Sequence, residues 1–529
     1  MEVNNTEVNN TEANNAEANN TAQRPMRRDA AVLLLSVFVV GLCTIVYELL
    51  IGSISSYLLG DSITQFSITI GLTMTAMGIG TLFSRNIRGN LILWFIAIEI
   101  ALGLIGGFSV PILFAVYAAT DLYYPAMISL IMAVGILIGL EIPLLTRVME
   151  NQFTLRDNIS NVLSLDYFGA FAATLLFPFL LLPFLGIFAS SIVTGAANLA
   201  VGVLSLWYFR SALGLEKGRW LLWAICLVSG LLLGALVFSQ TLIDAWETSV
   251  YDDRVLLSRQ SRYQKIVLTR HRGDVRLFLD GSLQFSSIDE HRYHEALLHV
   301  PLSLLGQRER VLVLGGGDGL VLRELLKYKD IARIDLVDLD PVVVEISRGF
   351  PPIVKLNGGS LDDPRVTVHA MDAFKFLETA DGLYDAIIAD LPDPKNLSLA
   401  RLYSREFYAM ARRRLSRQGI LVTQATSPYF APKAFWAIRA TLEAAGFPHI
   451  SPYHAYVPSF GDWGFIMASN RRIRPGNIRI AVPTRYLSTE LARGLFVFSK
   501  DDIEDEVKPS SLNNPEILRY YLEGWKHWQ

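Results

Sequence analysis

At 529 residues, with 51% hydrophobic side chains and a mean hydropathy of +0.34, the chain is too long and too apolar to be one small globular domain. Its net charge of −3 argues neither for nucleic acid nor for a strongly acidic partner. Two cysteines, Cys43 and Cys226, exclude a disulfide framework and any cysteine-based metal site in the second half.

Residues 2–22 repeat a pentad, Glu-Val-Asn-Asn-Thr passing into Glu-Ala-Asn-Asn-Ala, with no aromatic side chain. So little apolar area cannot offset chain entropy, and residues 1–29 are expected to form a disordered tail. Met26, just ahead of Arg27, Arg28 and the first apolar run, is an alternative start.

From Ala30 the apolar runs last about 20 residues, the length that crosses a bilayer core of about 30 Å. Seven spans are expected, near 30–50, 66–84, 91–111, 124–145, 165–185, 187–209 and 219–240, so that 30–241 is a multi-span helical membrane domain in contact with the lipid bilayer. Arg27 and Arg28, Arg85 and Arg88, Arg147 and Arg156, then Arg210, Lys217 and Arg219 occupy alternate connections. The positive-inside rule therefore places the N-terminus in the cytoplasm. Seven crossings carry the second half outside, against the cytosolic origin of the cofactor inferred below. The expectation adopted is a multi-pass cell-membrane protein whose catalytic half is cytoplasmic. Glu48, Glu99 and Glu141 lie in or beside spans, where an ionised carboxylate is costly; they are either a cation-handling site or structural acids. Ala76, Gly78 and Gly80 mark close helix packing.

Beyond Asp244 the pattern changes to short strands, charged helices and Gly/Pro turns. Arg262–Leu268 and Val275–Leu279, joined at His271–Asp274, read as antiparallel strands of a small β subdomain over 242–300. Strands at 311–314, 334–338, 366–369, 386–389 and 420–424 then alternate with helices near 319–328, 341–349, 373–380, 404–414 and 432–445. This alternation predicts a Rossmann-like, methyltransferase-type α/β domain over 301–529, its parallel sheet covered on both faces and its ligand at the carboxyl ends of the strands. Val311 to Leu314 followed by Gly315-Gly316-Gly317-Asp318-Gly319 is a buried strand turning toward a ligand, and Asp338 ends the next strand. Ala389-Asp390-Leu391-Pro392-Asp393-Pro394 adds an acidic loop. Together they read as a nucleoside-cofactor site beside a proton acceptor. Trp436 and the aromatics from Tyr453 to Phe465 read as core or pocket wall, and Arg412-Arg413-Arg414 as a solvated helix face.

The segments Asp280-Gly281-Ser282-Leu283-Gln284, Asp289-Glu290, Tyr293-His294-Glu295, the glycine loop, Asp372-Ala373, Asp390 to Pro394 and Leu402 to Tyr408 resemble the polyamine aminopropyltransferases, the spermidine synthase family. The likeness covers roughly 250 to 529, and the membrane half resembles the multi-spanning extension of some bacterial members. It implies transfer of the aminopropyl group from decarboxylated S-adenosylmethionine to putrescine, giving spermidine and methylthioadenosine without a metal. It also implies Asp390 as general base with Tyr293 as its partner, and Asp393 holding the loop and the acceptor amine. For the co-substrate it implies Gln264 and His294 near the aminopropyl and ribose region, Gly315 and Gly317 in the loop, Asp338 on the ribose, and Asp372 with Ala373 at the adenine. Asp318 would take the aminopropyl ammonium and repel the carboxylate of ordinary S-adenosylmethionine. Related soluble enzymes imply a homodimer. Leu320 stands where a further glycine is usual, Asp338 replaces a commoner glutamate, and Phe460 replaces a tyrosine, which leaves a longer amine open as acceptor. Two other readings compete: an S-adenosylmethionine-dependent methyltransferase, and a polyamine sensor or transporter whose soluble half binds ligand.

Overall fold

The computed structural model describes residues 4–59, 62–120, 122–150, 153–239, 241–243, 246, 251, 253–526 and 528. The chain divides into two compact units, Met1–Asp252 and Asp253–Gln529.

The first unit is helical. In order come α1 (Asn4–Leu59), α2 (Ser62–Ser84), α3 (Leu91–Gly107), α4 (Ser109–Ala119), α5 (Tyr123–Val148), α6 (Leu155–Leu176), α7 (Leu182–Tyr208), α8 (Arg210–Leu213) and α9 (Leu215–Val237). Local chemistry starts and stops them: Asn90 accepts the Leu93 N–H at 3.1 Å to open α3, and the Arg147 guanidinium donates to Ser84 O and Ile87 O, each at 3.0 Å, beyond the end of α2. α1 begins within the repeat expected to be disordered. A helix already nucleated in the following apolar run needs only propagation to extend backwards.

Among the described residues, six helical stretches are long and apolar enough to cross a membrane, which corrects the expectation of seven separate spans. The runs at 165–185 and 187–209 lie within one stretch of 54 residues, Leu155–Tyr208. A π turn at Phe177–Leu181 absorbs Pro178, and the backbone leaves helical geometry only at Gly186 (φ 73°, ψ 176°). The unit is apolar outside and partly polar inside. Met74, Phe171, Trp207, Trp223 and Leu227 are exposed, whereas Ser55, Thr69, Thr73, Glu99, Glu141 and Asn198 are buried. Glu48 is only half-buried.

α2 lies against α5 so closely that their backbones nearly touch. A side chain at Gly80 would strike Ile136 O, one at Gly139 would strike Met77 O, and a Cβ at Gly135 would sit 2.6 Å from that of Ala76. Gly78, expected to share this role, faces open space instead.

The second unit contains two sheets. The smaller is an antiparallel meander of β1 (Arg254–Gln260), β2 (Lys265–His271), β3 (Asp274–Leu279) and β4 (Ser282–Ser286). Two tight turns set it, Arg272-Gly273 and Asp280-Gly281, with all four residues at positive φ as such hairpins require. The larger sheet comprises β5 (Arg310–Gly315), β6 (Arg333–Asp338), β7 (Val366–Ala370), β8 (Tyr384–Asp390), β9 (Leu415–Gln424), β10 (His449–Val457) and β11 (Gly461–Ser469), in the order β10-β11-β9-β8-β5-β6-β7. β5 to β9 run parallel, as the alternation predicts. The last two strands do not: β11 inserts antiparallel between β9 and β10. Only three residues, Pro458 to Phe460, join β10 to β11, too few for the crossover a parallel pair needs. Helix α10 (Glu290–Leu302), assigned by sequence to the small β subdomain, packs on β8, β9, β10 and β11 of the large sheet.

Strand order reverses beside β5, whose neighbours are β6 and β8, and this opens a crevice at their carboxyl ends. Leu312, Leu314, Ile387 and Ala389, all fully buried, hold those strands in one core.

Introducing a side chain at the α2–α5 contact should force the helices apart. We expect Gly139→Val to destabilise the first unit by about 1–3 kcal/mol and Gly78→Ala to be tolerated, read as thermal unfolding of the detergent-purified chain. Equal effects of the two would contradict the packing described.

Candidate active site

The crevice collects residues from four strand ends. β5 ends at Gly315 (φ 83°), followed by Gly316 (φ 72°), and Gly319 (φ 81°) leads into helix α11 (Leu320–Leu325). Gly315 pairs with Asp390 across the sheet, and a Cβ there would overlap Asp390 O. Gly317 is needed for a different reason. Its N–H donates to Asp338 Oδ2 at 2.9 Å, and a Cβ would lie 2.5 Å from that oxygen. Asp338, ending β6, also accepts the Asp340 N–H on Oδ1 at 2.9 Å. Asp318 Oδ1 accepts the Leu320 N–H at 2.9 Å, opening α11.

Asp390, the last residue of β8, accepts the Tyr293 hydroxyl at 2.6 Å. Tyr293 comes from α10, its ring edge-on to those of His294 and Phe460, with centroids 5.1 and 6.0 Å away. His294 is buried, its Nδ1 at 2.7 Å from Glu290 O and 2.9 Å from Glu290 Oε2. Asp393 Oδ1 accepts the Gln424 amide at 3.1 Å.

The remaining expected residues stand further from this group. Gln264 donates its amide to Asp340 Oδ2 at 3.1 Å and is tied by its own N–H to Ser261 Oγ at 3.0 Å. Asp372, just past β7, accepts the Lys375 N–H at 3.1 Å, opens the helix Ala373–Thr379 and pairs with Arg401. Met371 N–H donates to Asp338 O at 3.0 Å and so keeps Asp372 at the same sheet edge.

Sequence reasoning missed several participants. Asp340 holds Gln264 and Ser261, whose hydroxyl it accepts at 2.6 Å. Gln424 donates to Leu391 O at 2.7 Å and thereby braces the acidic loop. Lys395 donates to Ser282 Oγ at 2.7 Å and Asp280 O at 3.3 Å. An Asp-Pro-Lys continuation of the loop was visible as a signal for Lys395. Gln424 ends the strand read at 420–424, a position facing the ligand, but as a neutral amide it was not singled out.

Electrostatics follow burial. Desolvation pushes the carboxyls of Asp318, Asp338 and Asp393 up to about 6, against the hydrogen bonds or opposite charge that pull each back. Burial raises Asp390 as well, while the His294 charge and the Tyr293 hydroxyl restrain it. For His294, burial alone would lower the value, but Glu290 outweighs it and holds the imidazole up to about 9. Burial also lowers Lys395, opposed by Asp280 and Asp393. The crevice is thus rich in half-buried carboxylates that hydrogen bonds orient and few cations neutralise. It can attract a cationic ligand and accept a proton. Among the described residues no group of three or more His, Cys, Asp or Glu side chains is arranged to hold a metal ion.

Half-buried acids at the switch point of a Rossmann-like sheet make a site suited to a cationic ligand. Residues 290–474 match the spermine/spermidine synthase domain family. The chain is 42% identical over 510 residues to polyamine aminopropyltransferase 1 of Ralstonia nicotianae, covering 95% of this chain and 97% of that protein. It is 40% identical over 512 residues to the polyamine aminopropyltransferase of Oceanobacillus iheyensis, covering 95% and 99%. With that of Mycobacterium tuberculosis it shares 40% over 520 residues, covering 94% and 97%. The crystal structure of spermidine synthase from Thermotoga maritima superposes with a TM-score of 0.42 at 25% identity over 47% of this chain and 85% of its own. The chain belongs to the polyamine aminopropyltransferases, and it is an enzyme of that class.

One consequence concerns stability. Asp318 has a folded value of about 6 against an unfolded value near 3.8, so its ionisation costs stability as pH rises through that window and the full cost persists above it. Asp318→Asn, which keeps the acceptor for Leu320 N–H, should stabilise the ligand-free protein by about 1–3 kcal/mol at pH 8 and by almost nothing near pH 4. Thermal unfolding at the two pH values measures this; a stabilisation equal at both would refute the assignment.

Proposed function

We propose that this enzyme transfers the aminopropyl group of decarboxylated S-adenosylmethionine to putrescine, with Asp390 as the base. The observation that carries the reading is the Tyr293–Asp390 hydrogen bond of 2.6 Å inside a crevice that also holds half-buried Asp318, Asp338 and Asp393. A free alkylamine has a pKa of about 10.4 and arrives protonated, so the site must attract a cation and then take its proton. Asp390 takes a proton from the ammonium, and the lone pair this frees forms a bond to the methylene beside the sulfonium while the C–S bond breaks. The C–S electron pair goes to sulfur, methylthioadenosine leaves, and the product keeps the new N–C bond as a secondary ammonium. Tyr293 aims the carboxylate, and Asp393, steadied by Gln424, holds the amine. Asp318 faces the aminopropyl ammonium, Asp338 the ribose and Asp372 the adenine, with Gln264 and His294 alongside. Fit to the co-substrate rests on charge: four carboxylates in the crevice suit a ligand carrying a sulfonium and an ammonium.

The first unit is proposed to be a membrane domain. On that reading each of the six long apolar stretches crosses once, and an even number of crossings returns the chain to the side on which the positive-inside rule puts its N-terminus. The second unit is placed on the cytoplasmic side, where the co-substrate is made, and a second copy of the chain is the proposed partner. A reporter fused after Gln529 should score cytoplasmic; an external score would overturn the placement.

The activity is tested with detergent-purified chain, decarboxylated S-adenosylmethionine and a panel of amines. Wild-type protein should release methylthioadenosine with putrescine. Asp390→Asn should lose about 10²–10⁴-fold in kcat, and Tyr293→Phe a smaller factor of about ten. Release unchanged in Asp390→Asn would remove the base from that residue.

A further inference from the structure

The crevice is backed by an ion network that the transfer reaction does not itself require. Glu290 receives the Arg323 guanidinium bidentately, Nη1 to Oε1 and Nη2 to Oε2, both at 2.9 Å. The same Arg323 donates through Nη1 to Leu356 O and through Nε to Glu324 Oε1, at 2.9 and 3.0 Å. Glu324 Oε2 lies 2.8 Å from His299 Nε2, and His299 Nδ1 lies 2.9 Å from the Tyr328 hydroxyl. Glu290, His294, His299 and Glu324 are all buried. The network therefore locks α10, which carries Tyr293 and His294, to α11, which follows the glycine loop.

Such a network could be mere packing. Its end inside the crevice argues otherwise. His294 has its Nδ1 fixed against both the main-chain oxygen and the carboxylate of Glu290, so its tautomer and ring direction are set, and Nε2 is left for the crevice. The groups facing the imidazole are Glu290 on its own helix, Asp318 from the glycine loop, Asp390 from the end of β8 and the Tyr293 ring. Arg323 stands behind Glu290. A neutral imidazole here would leave Glu290 half-answered and Asp318 with Asp390 as two like charges side by side. A charged one answers all three.

We propose that Glu290, clasped by Arg323, is a positioning residue that keeps His294 an imidazolium, and that this charge holds Asp390 in the ionised form its work as a base demands. The inference rests on the aminopropyl-transfer reading above. It adds that the base is set by a residue two contacts away. The direction of the electrostatics agrees. Burial would raise Glu290, yet His294 and Arg323 bring it down to about 2, and His294 in turn is the largest influence lowering Asp390. With Glu290 made neutral, His294 loses its proton at lower pH, Asp390 loses its compensating charge, and the pH at which the base becomes available rises.

The test is the pH profile of kcat/KM for the full chain in detergent, wild type beside Glu290→Gln and Arg323→Lys. Wild-type turnover comes first: its failure counts against the function and not against this network. Given an active wild type, the acid limb of Glu290→Gln should move up by about one unit or more, a loss of about tenfold on the acid side of the limb that vanishes well above it. Arg323→Lys, which keeps the charge but not the fork, should lie between. A loss of the same factor at every pH, or an unmoved acid limb with full activity, would overturn the proposal. If Glu290→Gln fails to fold, Arg323→Lys decides: an acid limb identical to wild type then refutes it, and a displaced one supports it.

Discussion

Burial of like charge at the carboxyl edge of β5, β6 and β8 is the constraint on which the rest of the site depends. Asp318, Asp338, Asp390 and Asp393 could each have been given an arginine. Instead, Asp318 and Asp338 are anchored by backbone N–H groups, Asp393 by the Gln424 amide and Asp390 by the Tyr293 hydroxyl. Such donors orient a carboxylate without cancelling its charge. Glu290 shows the alternative in the same protein: the bidentate Arg323 and the neighbouring His294 overcome its burial and bring it down to about 2. Acids of that kind build the frame. Acids held by neutral donors, with only the shared His294 charge beside Asp318 and Asp390, stay available to an incoming cation, at a cost in stability borne until one binds.

The alternation of strand and helix made the parallel part of the fold legible, because each buried strand is a short apolar run and each carboxyl end carries a glycine or an acid. β5 to β9 fall where the pattern places them. The β10–β11 pair was hidden, since Tyr453 to Phe465 are aromatic enough to be read as pocket wall and only the shortness of the Pro458–Phe460 link gives the hairpin away. In the site, the residues at strand ends were found because that position has a meaning of its own. Gln424 also ends a strand, β9, but carries no charge to single it out, and Asp340 acts on neighbours that folding brings near. His294 was legible as a candidate site residue, but the Glu290 carboxylate that supports its charge is clasped by Arg323, 33 positions on in sequence.

Hydropathy found the helices of the first unit but not their faces. Ala76 and Gly80 are four residues apart and share the surface that meets α5, while Gly78 lies about 200° round the helix from Gly80 and points away. The buried acids show the same limit. Apolar runs containing Glu48, Glu99 and Glu141 look alike in sequence, yet Glu99 alone among them accepts the Asn198 amide, at 2.9 Å, with Tyr47 donating to Asn198 Oδ1 at 3.1 Å. That network spans α1, α3 and α7, and so depends on a packing order that hydropathy does not encode.

The departures from the family pattern fit the same physical scheme. Asp338 is one methylene shorter than the commoner glutamate, and the loop comes to meet it: Gly317, with no Cβ to intervene, lies within hydrogen-bond distance of its carboxylate. The acid thereby spends one acceptor position on each oxygen in holding the loop, and keeps the others for a ligand. At Phe460 a hydroxyl is missing, and the ring instead packs against Tyr293 and Trp463, with centroids 6.0 and 5.0 Å away. On the proposed reading, an amine meeting that wall is recognised by its charge at Asp390 and Asp393 and by contact along its methylenes. Neither contact measures length as sharply as a hydrogen bond at a fixed distance would, because a hydroxyl-lined site penalises a misplaced polar end and an apolar wall does not. Selectivity among diamines then depends on how far Asp393, held by Gln424, stands from the base.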